Sequence, residues 1–174
     1  LWSSYSMNGR EDKYQWAGPY LYSRQMVVVK NESEIQTLSD LKGKRIAVQA
    51  TTKAEDLFLH NIKSDLPQMQ QVNCFSTTNE IYAALRKSYV DAIAGHEAML
   101  GSLVKEGKDA YRMLDESIYK SELGVAFKKG THEEVAADLT ETLKKLQREG
   151  ITEKIVTKYG LDADEILPEG EQNE

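Results

Sequence analysis

The chain has 174 residues, with 22 Lys and Arg against 28 Asp and Glu, a net charge of −6. That length fits one domain or two small lobes that share strands, and it can bury a core without disulfide or metal staples. Net acidity without a basic cluster argues against a nucleic-acid or anionic-membrane partner, and no apolar run approaches the roughly 18–20 residues of a membrane span.

The chain opens on Leu1-Trp2-Ser3-Ser4-Tyr5, with no initiator Met and no polar leader, which reads as the middle of a domain. Residues Leu21 to Lys30 contain Met26-Val27-Val28-Val29, a long extended apolar run. Ser39-Asp40-Leu41-Lys42-Gly43-Lys44 is a polar turn, and Arg45-Ile46-Ala47-Val48-Gln49 reads as a buried strand. A helix is expected from Thr52, with Ala54, Leu57, Phe58 and Ile62 at helical spacing and Pro67 beyond its end. Val72 to Phe75 is the next strand, with Cys74 as an inert buried thiol. Thr77-x-x-Glu80 is a capping-box signature opening a helix whose apolar face is Ile81, Ala84 and Leu85. Tyr89 to Ala94 reads as a third strand, followed by a helix through Leu100, Leu103 and Val104 that stops near Gly107.

Strands separated by helices of about ten residues predict βαβ units and a parallel sheet. Leu123 to Phe127 is a second long apolar strand, so two extended runs bracket the α/β block as in a lobe inserted by a double crossover. Thr131-x-x-Glu134 is a second capping box, before a helix with Val135, Leu139, Leu143 and Leu146 on one stripe and Gly150 at its end. Ile151 to Tyr159 is a last short helix, and the acidic tail from Asp162 lacks periodicity.

Catalytic chemistry finds little support. His60, His96 and His132 are far apart and in no metal-ligand spacing, and one cysteine makes neither a disulfide nor a cysteine-based zinc site. No cofactor, no metal and no enzymatic role is expected. Anion chemistry does have candidates. The turn Gln49-Ala50-Thr51-Thr52-Lys53 places backbone N–H groups, two hydroxyls and a cation at a helix start, so it is competent for a carboxylate; the alternative is a plain N-cap by Thr51 or Thr52. Arg10 lies among Ser, Tyr and Asn residues, which suits bidentate carboxylate recognition; the alternative is a loop arginine paired with Glu11 or Asp12.

The order of these features resembles the extracytoplasmic solute-binding proteins of the amino-acid class (family 3). Ser6-Met7-Asn8-Gly9-Arg10-Glu11-Asp12 followed by Trp16-x-x-Pro19-Tyr20 is similar to that family's arginine block, and Leu38 to Gln49 is similar to its "S-x-x-D-L-K-G-K-x-V-x-V-Q" segment. Val90-Asp91-Ala92-Ile93, Leu123 to Gly130 and Ile155 to Gly160 follow in the family's order.

The resemblance implies an α/β fold of the type II periplasmic-binding-protein kind, a two-lobed clamshell with one full lobe and part of a second. The expected divisions are residues 1–26 for partial lobe 1 and the first hinge strand, 27–120 for lobe 2, and 121–174 for the second hinge strand and the closing helices of lobe 1. It implies Arg10, Ser4 and Ser6 as contacts for a ligand carboxylate, with Thr51, Thr52 and Lys53 from the other lobe. Where the family carries an aspartate for the ligand amino group, this chain has His96 with Glu97 beside it. Either Glu97 substitutes, or the ligand is not a standard α-amino acid, or binding is weak.

The expected partners are a small-molecule ligand, an amino acid or related carboxylate, and an ABC permease, with an extracytoplasmic location. The alternatives are the outer domain of a membrane signalling receptor and, less favoured, an enzyme resembling cyclohexadienyl dehydratase. Missing the family's front portion, the chain is expected to expose apolar surface and to self-associate.

Overall fold

A computed structural model describes residues 1–60, 65–107 and 109–168, with only the backbone for residues 2–4. In chain order its strands are β1 (Trp2–Ser6), β2 (Tyr14–Lys30), β3 (Arg45–Gln49), β4 (Gln71–Phe75), β5 (Ala92–His96), β6 (Tyr111–Met113) and β7 (Tyr119–Lys128). Its α-helices are α1 (Lys53–Leu59), α2 (Thr78–Arg86), α3 (Glu97–Glu106), α4 (Glu133–Arg148), α5 (Ile151–Lys158) and α6 (Ala163–Ile166). The chain divides into two compact units, one of Leu1–Ser23 with Lys120–Glu174 and the other of Arg24–Tyr119.

In the unit Arg24–Tyr119, β3 pairs in parallel with both β4 and β5, and β2 and β5 pair antiparallel. The strand order β2-β5-β3-β4 leaves β4 at the edge, and β6 joins β2. Successive residues of β2 serve opposite faces of this sheet, as the period of two requires. Val27 and Val29 pack with Ile46, Val48, Leu57, Leu114 and Ile118 on one face, whereas Met26 and Val28 pack with Ile93, Ile81, Leu85 and Leu100 on the other. Both faces are therefore covered, which is why the strands read as continuous apolar runs. Thr77 caps α2 as its sequence predicts: its hydroxyl accepts the Glu80 N–H, and the Glu80 carboxylate accepts the Thr77 N–H.

Several local expectations give way. Residues Tyr89 to Asp91 precede the strand instead of forming it, because Tyr89 lies in the turn, where its N–H donates to Ala84 O, and is 64 % exposed. Cys74 is exposed, since β4 is the edge strand, and is not a core thiol. Helix α1 is capped by Thr52 and ends at Leu59; Ile62 lies outside the described residues.

In the other unit β7 lies between β1 and the first part of β2. The approach of β2 to β7 demands glycines: a Cβ on Gly18 would sit 3.3 Å from Gly124 Cα, and one on Gly124 would sit 3.0 Å from Ala17 O. Among the described residues, Ala17, Val125, Phe127 and Ala136 form a core cluster here, with Tyr20 and Leu139 packed against it. The second capping box does not form. His132 adopts a left-handed conformation (φ 58°) before α4, and the Thr131 hydroxyl donates to Lys128 O. Val135, Ile151, Ile155 and Tyr159 of α4 and its successors remain exposed. Among the described residues, no helix is long and apolar enough to cross a membrane.

Candidate functional site

Because β3, β4 and β5 are parallel, their C-terminal ends emerge at one edge of the sheet, where an open α/β sheet offers its binding crevice. The antiparallel β2 begins at the same edge, with Gln25 opposite His96. This register aligns Arg24, the Thr51-Thr52-Lys53 turn, Thr77, His96 and Glu97 along one side of the unit.

The turn after β3 is held by its own side chains. Thr51 has a left-handed backbone (φ 62°), and its N–H donates to Glu55 Oε2 at 2.6 Å. The Thr51 and Thr52 hydroxyls donate to Ala50 O and Gln49 O, both at 2.7 Å, and Thr52 also accepts the Glu55 N–H at 3.5 Å. Thr52 is thus the N-cap of α1, and Glu55 takes the N–H that the left-handed turn presents. That bond holds the Glu55 carboxyl below its ordinary pKa. Lys53 opens α1 and stands over the Tyr119 ring, 4.9 Å from its centroid.

His96 ends β5 and caps α3, its Nδ1 accepting the Ala98 N–H at 3.3 Å. Though the residue as a whole is exposed, partial burial of the ring holds its pKa below the ordinary value, against the opposing pull of the Glu97 carboxylate. With Nδ1 as acceptor, the neutral imidazole carries its proton on Nε2. Glu97 does not stand open beside it. Arg24 donates from Nε to Glu97 Oε2 at 2.9 Å and from Nη2 to Oε1 at 2.5 Å, and both residues are buried. The expectation that Glu97 substitutes as the acceptor of a ligand amino group meets this pair: both carboxylate oxygens already carry guanidinium bonds.

In the first unit, Arg10 sits in a tight loop closed by its own N–H to Met7 O and by Lys13 N–H to Arg10 O. Its guanidinium lies 4.5 Å from the centre of the Tyr5 ring. Tyr5 stacks on Trp16 and meets Tyr14 edge-on, and the Trp16 indole N–H donates to Arg10 O at 3.3 Å. Glu11 accepts the Gly9 N–H instead of pairing with Arg10, and among the described residues Arg10 makes no ion pair. Ser6 ends β1 opposite Leu123; the side chain of Ser4 lies outside the described residues.

Sequence reasoning passed over two features. The aromatic support of Arg10 was signalled by Tyr14-x-Trp16, whose spacing of two puts both rings on one face of a strand. Arg24 was signalled as a charge two residues before the apolar run Met26–Val29 of the same strand, where burial requires that a charge be paired.

A family model described as "ABC transporter, phosphonate, periplasmic substrate-binding protein" matches residues 14–165. The chain is 29 % identical over 152 residues to the L-cystine-binding protein TcyJ of Escherichia coli (strain K12), covering 86 % of this chain and 55 % of that protein. It is 25 % identical over 179 residues to the glutamate-binding protein GluB of Corynebacterium efficiens, covering 97 % of this chain and 58 % of that one. The chain thus spans little more than half the length of these curated relatives. Among solved structures, the substrate-binding protein of an amino acid ABC transporter superposes with a TM-score of 0.63 at 28 % identity, covering 90 % of this chain and 68 % of that one. The cysteine-binding protein of Campylobacter jejuni shares the fold at a TM-score of 0.66 and 24 % identity, covering 94 % and 66 %.

Proposed function

The chain belongs to the periplasmic substrate-binding proteins of ABC transporters, and from that premise we propose that it captures a small acid outside the cytoplasm and delivers it to a membrane permease. The family's description names phosphonate and the relatives' names include cystine and glutamate. What these ligands share is an anionic oxygen headgroup, and an amino acid or related carboxylate is the ligand class we assign. The observation that carries this reading is Arg10: a planar fork of donors, braced on Tyr5 and without an ion pair among the described residues.

The proposed ligand contacts are Ser4, Ser6 and Arg10 in one unit, and Thr51, Thr52, Lys53 and His96 in the other. Glu97 is left out, since Arg24 holds both its oxygens. The relatives are named as binding proteins, and capture without turnover is the role proposed here.

Thermal-shift and calorimetric titration of amino acids and of methylphosphonate tests the reading, because a ligand selective for the folded chain raises its melting temperature. Binding by Arg10→Met at wild-type affinity removes Arg10 from the site, and Arg10→Lys is expected to weaken binding about tenfold by keeping charge but losing the fork. Unchanged affinity in His96→Ala removes His96.

A second copy of the chain is also a proposed partner. Strand β1 is an edge strand, able to pair with its own symmetry mate, and the exposed Val135, Ile155 and Tyr159 belong to the same unit. Light scattering that finds a monomer at all concentrations rejects this partner.

A further inference from the structure

Arg24 and Glu97 are separated by 73 positions in sequence, and they form a buried ion pair in the unit Arg24–Tyr119. Their side chains are 8 % and 10 % exposed. The two guanidinium bonds, one to each carboxylate oxygen, make a bidentate pair of fixed orientation. Removing one partner would strand the other as an uncompensated buried charge, so the pair is held firmly.

Glu97 is the residue after His96, at the strand end where the proposed ligand contacts of this unit gather. A free α-amino acid brings two charges, a carboxylate and an ammonium, and the ammonium calls for an anionic acceptor. Among the described residues, the carboxylates of Glu55, Glu80 and Glu97 stand at this edge and all are committed elsewhere, Glu80 to the Thr77 N–H and hydroxyl. Glu97 is bound by Arg24, and Glu55 accepts the Thr51 N–H at 2.6 Å. What the edge does offer is cationic or neutral: the Lys53 ammonium over Tyr119, and the His96 imidazole whose Nδ1 is spent on the Ala98 N–H.

We infer that Arg24 is a specificity-determining positioning residue: by holding Glu97 it withdraws that carboxylate from the ligand, so the site selects small acids by their anionic group and does not require an α-ammonium. The inference rests on the reading of the chain as a small-acid-binding protein and narrows its substrate class. Specificity here comes from what the protein withholds as much as from what it presents.

The test is calorimetric titration of matched pairs, glutamate against 2-hydroxyglutarate and alanine against lactate, on the 174-residue chain and on three variants. Each wild-type pair is expected to agree within about threefold. In Arg24→Met, Glu97 is released and the ratio is expected to move about tenfold or more toward the amino acid, returning in the double variant Arg24→Met/Glu97→Gln. Glu97→Gln alone keeps an acceptor oxygen for Arg24 and is expected to leave the ratio unchanged. This variant keeps the test decisive where a melting curve shows Arg24→Met unfolded. A fall of about tenfold in amino-acid preference in Glu97→Gln overturns the inference, as does a wild-type preference of about tenfold or more for amino acids over their hydroxy counterparts. Failure of the wild-type chain to bind any acid of either panel overturns the parent reading, and the inference with it.

Discussion

The Glu55 carboxylate lies 2.6 Å from the Thr51 nitrogen and accepts its N–H, holding a left-handed threonine (φ 62°) in place at the start of α1. A β-branched residue pays a steric cost of about 1–2 kcal/mol in this conformation, which glycine avoids. Glycine loses about 0.5–1 kcal/mol through the greater freedom of the unfolded chain. The difference favours the folded state, so Thr51→Gly is expected to raise the melting temperature in calorimetry, whereas Glu55→Ala is expected to lower it. A fall in Thr51→Gly would show that the threonine side chain stabilises the turn by more than its strain.

Arg45 and Asp91 join the start of β3 to the turn before β5. Asp91 Oδ2 accepts both the Arg45 backbone N–H at 2.8 Å and its Nε–H at 3.1 Å, and Oδ1 accepts from Nη2 at 2.7 Å. The hydrogen bonds from Arg45 hold the Asp91 carboxyl below its ordinary pKa, against partial burial. A group whose folded pKa is depressed binds more protons when unfolded, so its stabilisation is present above the unfolded value of about 3.9 and is lost as pH falls through the folded one. Asp91→Asn is therefore expected to melt below wild type at pH 6, by about 1–2 kcal/mol, for the loss of charged hydrogen bonds in a half-exposed pair. That gap is expected to close below pH of about 3.9. A gap that stays constant with pH would assign the effect to packing.

Cys74 is exposed on the edge strand, yet its thiol is pushed up to about 11, first by partial burial of the sulfur and then by hydrogen bonding to the Glu55 carboxylate. Relative to a free thiol of pKa about 8.5, the thiolate fraction at pH 8 is lower by about 200-fold, while the more basic thiolate is about tenfold more nucleophilic. Alkylation by iodoacetamide is thus expected to run at least about tenfold slower than for a free cysteine at pH 8, and Glu55→Gln is expected to speed it up. Labelling at the free-cysteine rate would place the sulfur away from Glu55.

What could be read from the sequence was whatever short-range chemistry decides. Met26-Val27-Val28-Val29 announced an extended apolar strand, and Thr77 with Glu80 announced the start of α2, because each depends on neighbours a few residues away. Cys74 was misjudged because burial of a strand residue depends on which strand ends the sheet, and β4 does. Thr131 and Glu134 have the capping spacing, but His132 turns left-handed between them and directs the threonine hydroxyl back to Lys128. At the site, Arg10 and the Thr51–Lys53 turn were visible as local patterns of charge and hydroxyl. The bond between Arg24 and Glu97 was not, since only the antiparallel register of β2 against β5 brings residues so far apart in sequence together.

His96 supplies a last test, because it caps a helix with an imidazole that can take up a proton. Its Nδ1 accepts the Ala98 N–H only while unprotonated, and partial burial of the ring already lowers its pKa, with the adjacent Glu97 acting in the opposite sense while itself held by Arg24. A histidine with a lowered folded pKa binds more protons unfolded, so stability rises with pH across the window between the folded value and the unfolded value of about 6.5. The wild-type melting temperature is therefore expected to fall as pH drops below about 6.5, beyond the change due to carboxylates. Asparagine caps helices well and does not titrate, so His96→Asn is expected to keep the pH 8 stability and to lose this slope. If both proteins lose stability in parallel between pH 7 and 5, His96 is protonated without cost to the fold, and its contact with Ala98 contributes nothing to the stability of α3.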